Sequence, residues 1–452
     1  MLTRRALLKN SVLTAAAAGF PSIIPGTALG LNGRPAASER ITMAAFGFGT
    51  IAHTTVPAFL QDERVQLIAV ADPVSDLGSY GYSAEKRGGR FVGKALIEKH
   101  YADAKDGTYK GCQAYGDFRE LLEKEDIDAV NISSPDHWHA YQAIYCARKG
   151  KHIYGQKPLA LTVNEGRRMA DEVKKAGITW QTGSQQRSDL KFRMAAEYIR
   201  NGRLGKLSEV RVGLPAGHTN WSKLADRKAP EAPPSELNWD LWLGPAPQRD
   251  YSPAILQLNW RHNYDFSGGM ITDWGAHHMD IVQWALDKDA SGPVLVENIK
   301  GELPAKDALY NTATSYHFEA VYADGVRMIV DSSFREGIEF IGSDGKKLFV
   351  KRDLIEFTPP ELRAEQIKDG ETRLHLSLKY NHNADFVDHI YDGAATAAPI
   401  EASHRTITIA HLANLGLRFG KSSIKWDPAT EQSADAEINQ HLARPMRAPY
   451  SI

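Results

Sequence analysis

Cysteine is nearly absent. Cys112 and Cys146 are the 2 cysteines in 452 residues, with no CxxC pair and no metal-type spacing. A disulfide scaffold is excluded at this length, and isolated thiols suit buried positions in a chain that folds in a reducing compartment. Excess charge of either sign is also missing. Lysine and arginine number 54 against 55 aspartates and glutamates, a balance that favours neither nucleic acid nor an anionic membrane surface. Beyond the N-terminal region no apolar run approaches the length of a membrane span. Internal repeats and further low-complexity tracts are lacking as well. What is present is the composition of a soluble globular protein, 42% hydrophobic and 24% charged, long enough for two or three ordinary domains.

The first residues, MLTRRALLKN, place Arg4 and Arg5 before an apolar stretch, SVLTAAAAGFPSII, and a small-residue zone, PGTALGLNGRPAAS. That order is a charged n-region, an h-region and a cleavage zone. The arginine pair with Leu8 and Lys9 resembles a twin-arginine signal, which exports proteins already folded and makes the translocation machinery a partner. An ordinary secretory signal with a fortuitous arginine pair is the alternative. Residues 1–37 are therefore read as signal and linker, and a periplasmic or otherwise exported location is expected.

From Ile41 the pattern is strand, turn, helix, repeated. ITMAAFGFG, VQLIAVADP, QAY, IDAVNISSP, KHIYGQK and ITWQTGS read as strands, most of them continuously apolar. Between them lie the helical stretches TIAHTTVPAFL, RFVGKALIEKHYA, DFRELLEKE with Asp117 as cap, HWHAYQAIYCARKG and VNEGRRMADEVKKAG. Buried strands alternating with helices predict a doubly wound parallel sheet, a Rossmann unit over residues 38–186. The texture then changes. Residues 215–267 are rich in Pro, Trp and Asn and too long for a plain connection. ATSYHFEAVYA and VRMIVDSSF read as antiparallel strands joined at Asp324-Gly325, and another pair meets at Ser343-Asp344-Gly345. Residues 187–452 are thus expected to form an α+β domain with a mostly antiparallel sheet.

The first strand ends in Gly47-Phe48-Gly49-Thr50-Ile51-Ala52, a GxGxxA turn opening a helix. The first glycine permits the turn, the second admits a pyrophosphate to the backbone, and the amides of the helix start hold the phosphates. Asp72 closes the second strand. A carboxylate there accepts hydrogen bonds from both ribose hydroxyls and repels a 2′-phosphate, favouring NAD over NADP. FAD uses the same fingerprint, but the reactive residues favour nicotinamide. A glycine turn without ligand is the bland alternative.

The segments GFGTIA, SSPDHWHAYQAIYCARKGKHIYGQKPLALT, GSQQRSDLKFRMAAEYIRNGRLGK, LNWDLWLGPAP and SGGMITDWGAHHMDIVQWAL together resemble the Gfo/Idh/MocA oxidoreductases across essentially all of the chain after the signal. The resemblance implies a Rossmann domain followed by an α/β domain whose open sheet commonly supports a dimer or tetramer. It also implies oxidation or reduction of a sugar or cyclitol carbinol. The family's catalytic lysine falls on Lys157 in GQKPL, and its Asp and His on Asp273 and His277 in DWGAH. Lys157 follows a sheet strand, where open α/β folds bind ligands, and needs a lowered pKa to act as a base. His277 would hold or relay the hydroxyl proton, with Asp273 orienting it. Ser134, Pro135, His139 and Gln156 are expected beside the nicotinamide. Gln156 stands where most of the family has glutamate, which favours a neutral Lys157 and leaves the usual carboxylate contact in question.

His137 and His139 with His277 and His278 invite a metal reading, but no cysteine or carboxylate pattern joins them, and no metal is expected. Trp260, Arg261, Tyr264, His278 and Arg187 are candidate substrate contacts, aromatic faces covering a sugar ring while polar groups bind its hydroxyls. Trp239 and Trp242 are better read as packing. The leading reading is an exported enzyme transferring hydride between a sugar or cyclitol and tightly bound NAD. The runner-up cleaves glycosides by transient oxidation, elimination and re-reduction, and a third reading is a carbohydrate-binding relative without catalysis.

Overall fold

Two sheets organise the computed structural model, which describes residues 35–79, 85–104, 107–221, 223–375 and 381–452. The signal and linker read at residues 1–37 lie outside the described residues except for 35–37. Among the described residues no helix is long and apolar enough to cross a membrane.

The first sheet holds β1 (Ile41–Phe46), β2 (Val65–Ala71), β3 (Gln113–Tyr115), β4 (Ala129–Ile132), β5 (His152–Gly155) and β6 (Trp180–Thr182). Their spatial order is β3-β2-β1-β4-β5-β6, every pairing parallel. Every residue of β1 and of β4 is buried, as expected where helices cover both faces. The strand order reverses between β1 and β4, which opens a crevice beyond their carboxyl ends. Helix ends follow the local chemistry. Asp117 caps Phe118–Lys124 by accepting from the Arg119 amide, and Thr162 caps Val163–Ala176 by accepting from Glu165. Gly177 ends the latter in the left-handed conformation, φ 63°.

The second sheet adds β7 (Leu207–Gly213), β8 (Leu295–Glu302), β9 (Ser315–Val321), β10 (Arg327–Asp331), β11 (Gly337–Gly342), β12 (Lys347–Lys351), β13 (Leu354–Thr358), β14 (Ile424–Asp427) and β15 (Gln432–Ser433). Its order is β13-β12-β11-β7-β10-β9-β8-β14-β15, antiparallel throughout except for β7 with β10. β9 and β10 pair through the turn at Gly325, and β11 and β12 through the turn at Gly345. Alternate residues of β9 and β10 are buried, so one face packs on helices. Across the sheet, Leu190–Arg200 packs on β12 and β13, Gly275–Ala285 on β7 and β11, and Ile400–Phe419 on β8.

The described residues of 215–267 form a wall, not a plain loop. Leu237 bridges to Val74, and the Ser75 amide donates to the Glu236 carbonyl at 2.7 Å, so the segment lies against the end of β2. Within it Asn238 caps the short helix Trp239–Leu243. Trp239 and Trp242 stack with centroids 4.9 Å apart. The C-terminal tail locks this wall down: Arg447 binds the Gly244 carbonyl at 2.9 Å, and Tyr450 meets Trp138 edge-on.

Candidate active site

A cavity of about 930 Å³ opens at the carboxyl ends of β1 and β4 and runs on under the wall to the second sheet. Its floor is the glycine turn. Gly47 has φ +79°, and a Cβ there would stand 2.8 Å from the Ser134 amide nitrogen, so only glycine fits. Gly49, Thr50 and Ile51 line the same end. Ile51 is the N-cap of the helix Ala52–Leu60 and provides no side-chain cap; the Thr54 amide turns back to the Ile51 carbonyl at 2.9 Å, which leaves the amides ahead of it for an anionic ligand.

Asp72 borders the cavity beside this turn. Its two carboxylate oxygens accept from the Phe48 amide at 2.6 Å and the Val74 amide at 2.8 Å. Burial pushes its pKa up to about 6, against the lowering effect of those amides and Arg90. Phe48, expected at the cofactor, does not line the cavity: its amide serves Asp72 and its carbonyl accepts from the Gly89 amide. Its ring is buried against Gly93 and His53 rather than in the cavity.

The opposite wall carries the reactive groups. Lys157 follows β5, and its Nζ lies 2.5 Å from Asp273 Oδ1. Arg261 Nε lies 3.1 Å from the same oxygen, off the line of a hydrogen bond. Burial lowers the Lys157 pKa, aided by Arg261 and opposed by Asp273 and Asp136. Burial alone would raise Asp273, but Arg261 and Lys157 outweigh it and hold the carboxylate below its usual range. Burial, Lys157 and Arg352 together keep the pKa of His277 well below its ordinary value, so this imidazole is neutral near pH 7. All three side chains, with Gln156, line the cavity. Gln156 Nε2 and His277 Nδ1 are buried there without a hydrogen-bond partner.

Asp273 therefore serves Lys157 and Arg261, where it was expected to orient His277. The backbone explains this: Asp273 ends the short helix Gly269–Asp273, and His277 belongs to the next, Gly275–Ala285.

Ser134, Pro135, Trp260 and Arg261 also line the cavity. The Arg261 guanidinium lies over Trp260, 4.6 Å from the ring centroid, and 5.6 Å from that of Trp221. Four further candidates do not border it. His139 sits behind the wall, its ring nitrogens 2.7 Å from the Pro158 carbonyl and 2.9 Å from that of Ser134, tying together two loops that carry lining residues. His278 is one position, hence about 100° of helix, from His277 and turns inward against Phe192 and Trp274. Burial drives its pKa to about 3. Tyr264 donates to Asn414 at 3.1 Å and packs under Arg418. Arg187 is 1% exposed and pairs with Asp280 at 2.7 Å and Asp289 at 2.8 Å, so it is a structural clamp.

Sequence reasoning missed several lining groups. Asp136 is buried, accepts from Ser267 at 2.6 Å, and has its pKa raised by burial. Arg352 and Asp353 reach the cavity from the turn between β12 and β13, and Asn383 from the helix His382–Asp392. Asp136 lay in the quoted PDHWH motif, whereas the others carry no local signal.

Comparison with known proteins agrees with this geometry. Residues 190–452 match the C-terminal α/β domain of the Gfo/Idh/MocA oxidoreductase family, and residues 81–184 match its NAD-binding Rossmann fold. A myo-inositol 2-dehydrogenase of Thermotoga maritima is 24% identical over 327 residues, covering 69% of this chain and 83% of that protein. The WlbA dehydrogenase of Bordetella pertussis, crystallised with NADH and UDP-GlcNAcA, shares the fold with a TM-score of 0.59 at 14% identity, over 87% of this chain and 99% of that one. An aldose–aldose oxidoreductase of Caulobacter crescentus, complexed with glycerol, superposes with a TM-score of 0.56 at 17% identity, over 85% and 99%. The turn at Gly47, the uncapped helix start and the Asp72 carboxylate fit a dinucleotide, and NAD is the cofactor of this Rossmann domain.

Proposed function

The chain belongs to the Gfo/Idh/MocA oxidoreductase family and is an NAD-dependent enzyme of CH–OH groups; from that premise we propose that it oxidises or reduces a secondary alcohol of a sugar or cyclitol and is exported with its cofactor bound. The observation that carries this reading is the meeting of Lys157, Asp273 and His277 on the wall of the cavity that the glycine turn floors.

NAD, when bound, supplies the hydride acceptor or donor. The chain's own residues supply the rest. The glycine turn and the helix start would hold the pyrophosphate, and Asp72 would accept from the adenosine ribose. Lys157, its basicity reduced by burial, takes the hydroxyl proton at Nζ. Asp273 fixes that amine in position. Neutral His277 presents a second site for the same proton. Trp260 and Arg261 offer a face and donors to a polyol. The inositol dehydrogenase and the complex with a nucleotide sugar support a cyclic polyol substrate.

Export rests on the TRRALLK stretch. A folded passenger leaves with whatever its active site has already bound, and a nicotinamide sealed in the cavity must be reset there by a second substrate or a later step on the same molecule. Mass spectrometry of nucleotide released from natively processed protein, followed by a sugar-panel screen at the reduced nicotinamide band, tests the reading. NAD(H) and a spectral change with a cyclic polyol are expected. Apo protein from processed material contradicts bound export, and inertness to every polyol contradicts the substrate class. Free sugar released from a glycoside without net NADH converts the reading to glycoside cleavage.

A further inference from the structure

The helix His382–Asp392 carries chemistry that the cavity does not use. Asp385 and His389 stand four residues apart on one face, and His375 approaches them from the preceding segment. Both imidazoles aim Nε2 at a single carboxylate oxygen. His375 Nε2 lies 2.5 Å and His389 Nε2 3.5 Å from Asp385 Oδ1. The three ligand atoms all fall within 4.8 Å of one another.

The outer contacts of the group are already made. The second Asp385 oxygen accepts from the Ala397 amide at 2.8 Å. His389 Nδ1 lies 2.8 Å from Asp392 Oδ1. A ring that donates from Nδ1 to a carboxylate turns its Nε2 lone pair inward, here toward a second carboxylate. His375 can meet that oxygen with the N–H of a neutral ring, but His389 cannot without a positive charge at Nε2. A divalent ion placed among the three atoms satisfies both rings and the carboxylate together. A carboxylate that fixes the tautomer of a ligating imidazole from behind is the usual outer shell of a metal site. Access is one-sided: the Asp385 side chain is 2% exposed and His389 11%, against 41% for His375. Solvent water can complete the coordination there.

We propose that His375, Asp385 and His389 bind one divalent transition-metal ion, with zinc the best match to two imidazoles and a carboxylate. None of the three lines the cavity, but Asn383, in the first turn of the same helix, does. Phe386, one residue past Asp385, packs on Phe59 and Tyr154 of the Rossmann core. The ion would therefore pin the His375 segment to a helix that touches the cofactor cavity, a structural role apart from hydride transfer.

The test uses the full chain, stripped with a chelator and titrated calorimetrically with Zn²⁺, with Co²⁺ as the spectroscopic probe. One equivalent of zinc and the visible absorption of low-symmetry Co²⁺ are expected. His375→Ala, at the exposed position, and His389→Ala should each weaken binding at least about tenfold. Asp392→Asn should weaken it less and keep the Co²⁺ spectrum. Circular dichroism and retained NAD binding check that each variant is folded. Absence of zinc binding by the intact chain overturns the proposal, as does equal affinity in a folded His375→Ala/His389→Ala double variant.

Discussion

Asp273 sits between two cations, Lys157 and Arg261, and this placement decides how the amine titrates. The carboxylate raises the Lys157 pKa while burial lowers it. Lys157 acts as a base only when neutral, so oxidation should fail as pH falls through its pKa. Asp273→Asn removes the raising influence. The acid limb of the kcat/KM profile should therefore move to lower pH, while the maximal rate falls because the amine is no longer held; an unmoved limb would separate Asp273 from Lys157. Asp72 makes an independent prediction. Its pKa near 6 means that the acceptor for the ribose hydroxyls is lost below that pH. NAD affinity should then weaken by on the order of tenfold per pH unit, a dependence that Asp72→Asn abolishes in a fluorescence titration. The sequence displayed both aspartates, and Lys157 and His277, because each stands in a local motif. Arg352 and Asn383 were invisible there, because they reach the cavity from elements nearly two hundred residues or more beyond Lys157 in the chain.

At the scale of elements, the legible parts were those with one clear period. β1 and β4 are mostly apolar and buried at every residue, the helix Val163–Ala176 carries its own cap, and β9 alternates residue by residue. The helix Ile400–Phe419 was not read, because it is buried for most of its length and contains His404, Thr406, Thr408, His411 and Asn414 among its buried residues. Without a polar face it shows no stripe. Arg187 shows the reverse error, an exposed-looking charge in SQQRS that the fold places between Asp280 and Asp289. Arg187→Ala would leave Asp280 buried beside the like charge of Asp289, with the Thr406 hydroxyl as its one remaining side-chain donor among the described residues. Chemical denaturation should show a loss of about 3–5 kcal/mol, with the KM for sugar unchanged in protein that remains folded; a raised KM at full stability would restore the substrate role. Gly47→Ala places a methyl against the Ser134 backbone and should remove NAD binding while the rest of the fold persists.

For the whole molecule, the cavity is a joint product. The Rossmann turn, the 215–267 wall, the second sheet and the helix His382–Asp392 each contribute lining residues, and the C-terminal tail holds the wall in place. NAD should therefore stabilise the entire chain against heat, by roughly 2.7 kcal/mol at a hundredfold excess over Kd, whereas Gly47→Ala should show no shift. This joint enclosure was only half legible. The two sheets followed from patterning, but their closure around one space depends on contacts such as Ser75 with Glu236, which no local motif announces. The central claim is that the amine of Lys157 removes the proton as hydride passes to nicotinamide inside this space. Single-turnover reduction of bound NAD, followed against pH in the wild type and in Lys157→Ala, tests it most directly. An acid limb is expected in the wild type, and in the variant a rate lower by roughly 10²–10⁴-fold with that limb gone and NAD affinity kept; equal rates with the same pH dependence would contradict the role of Lys157.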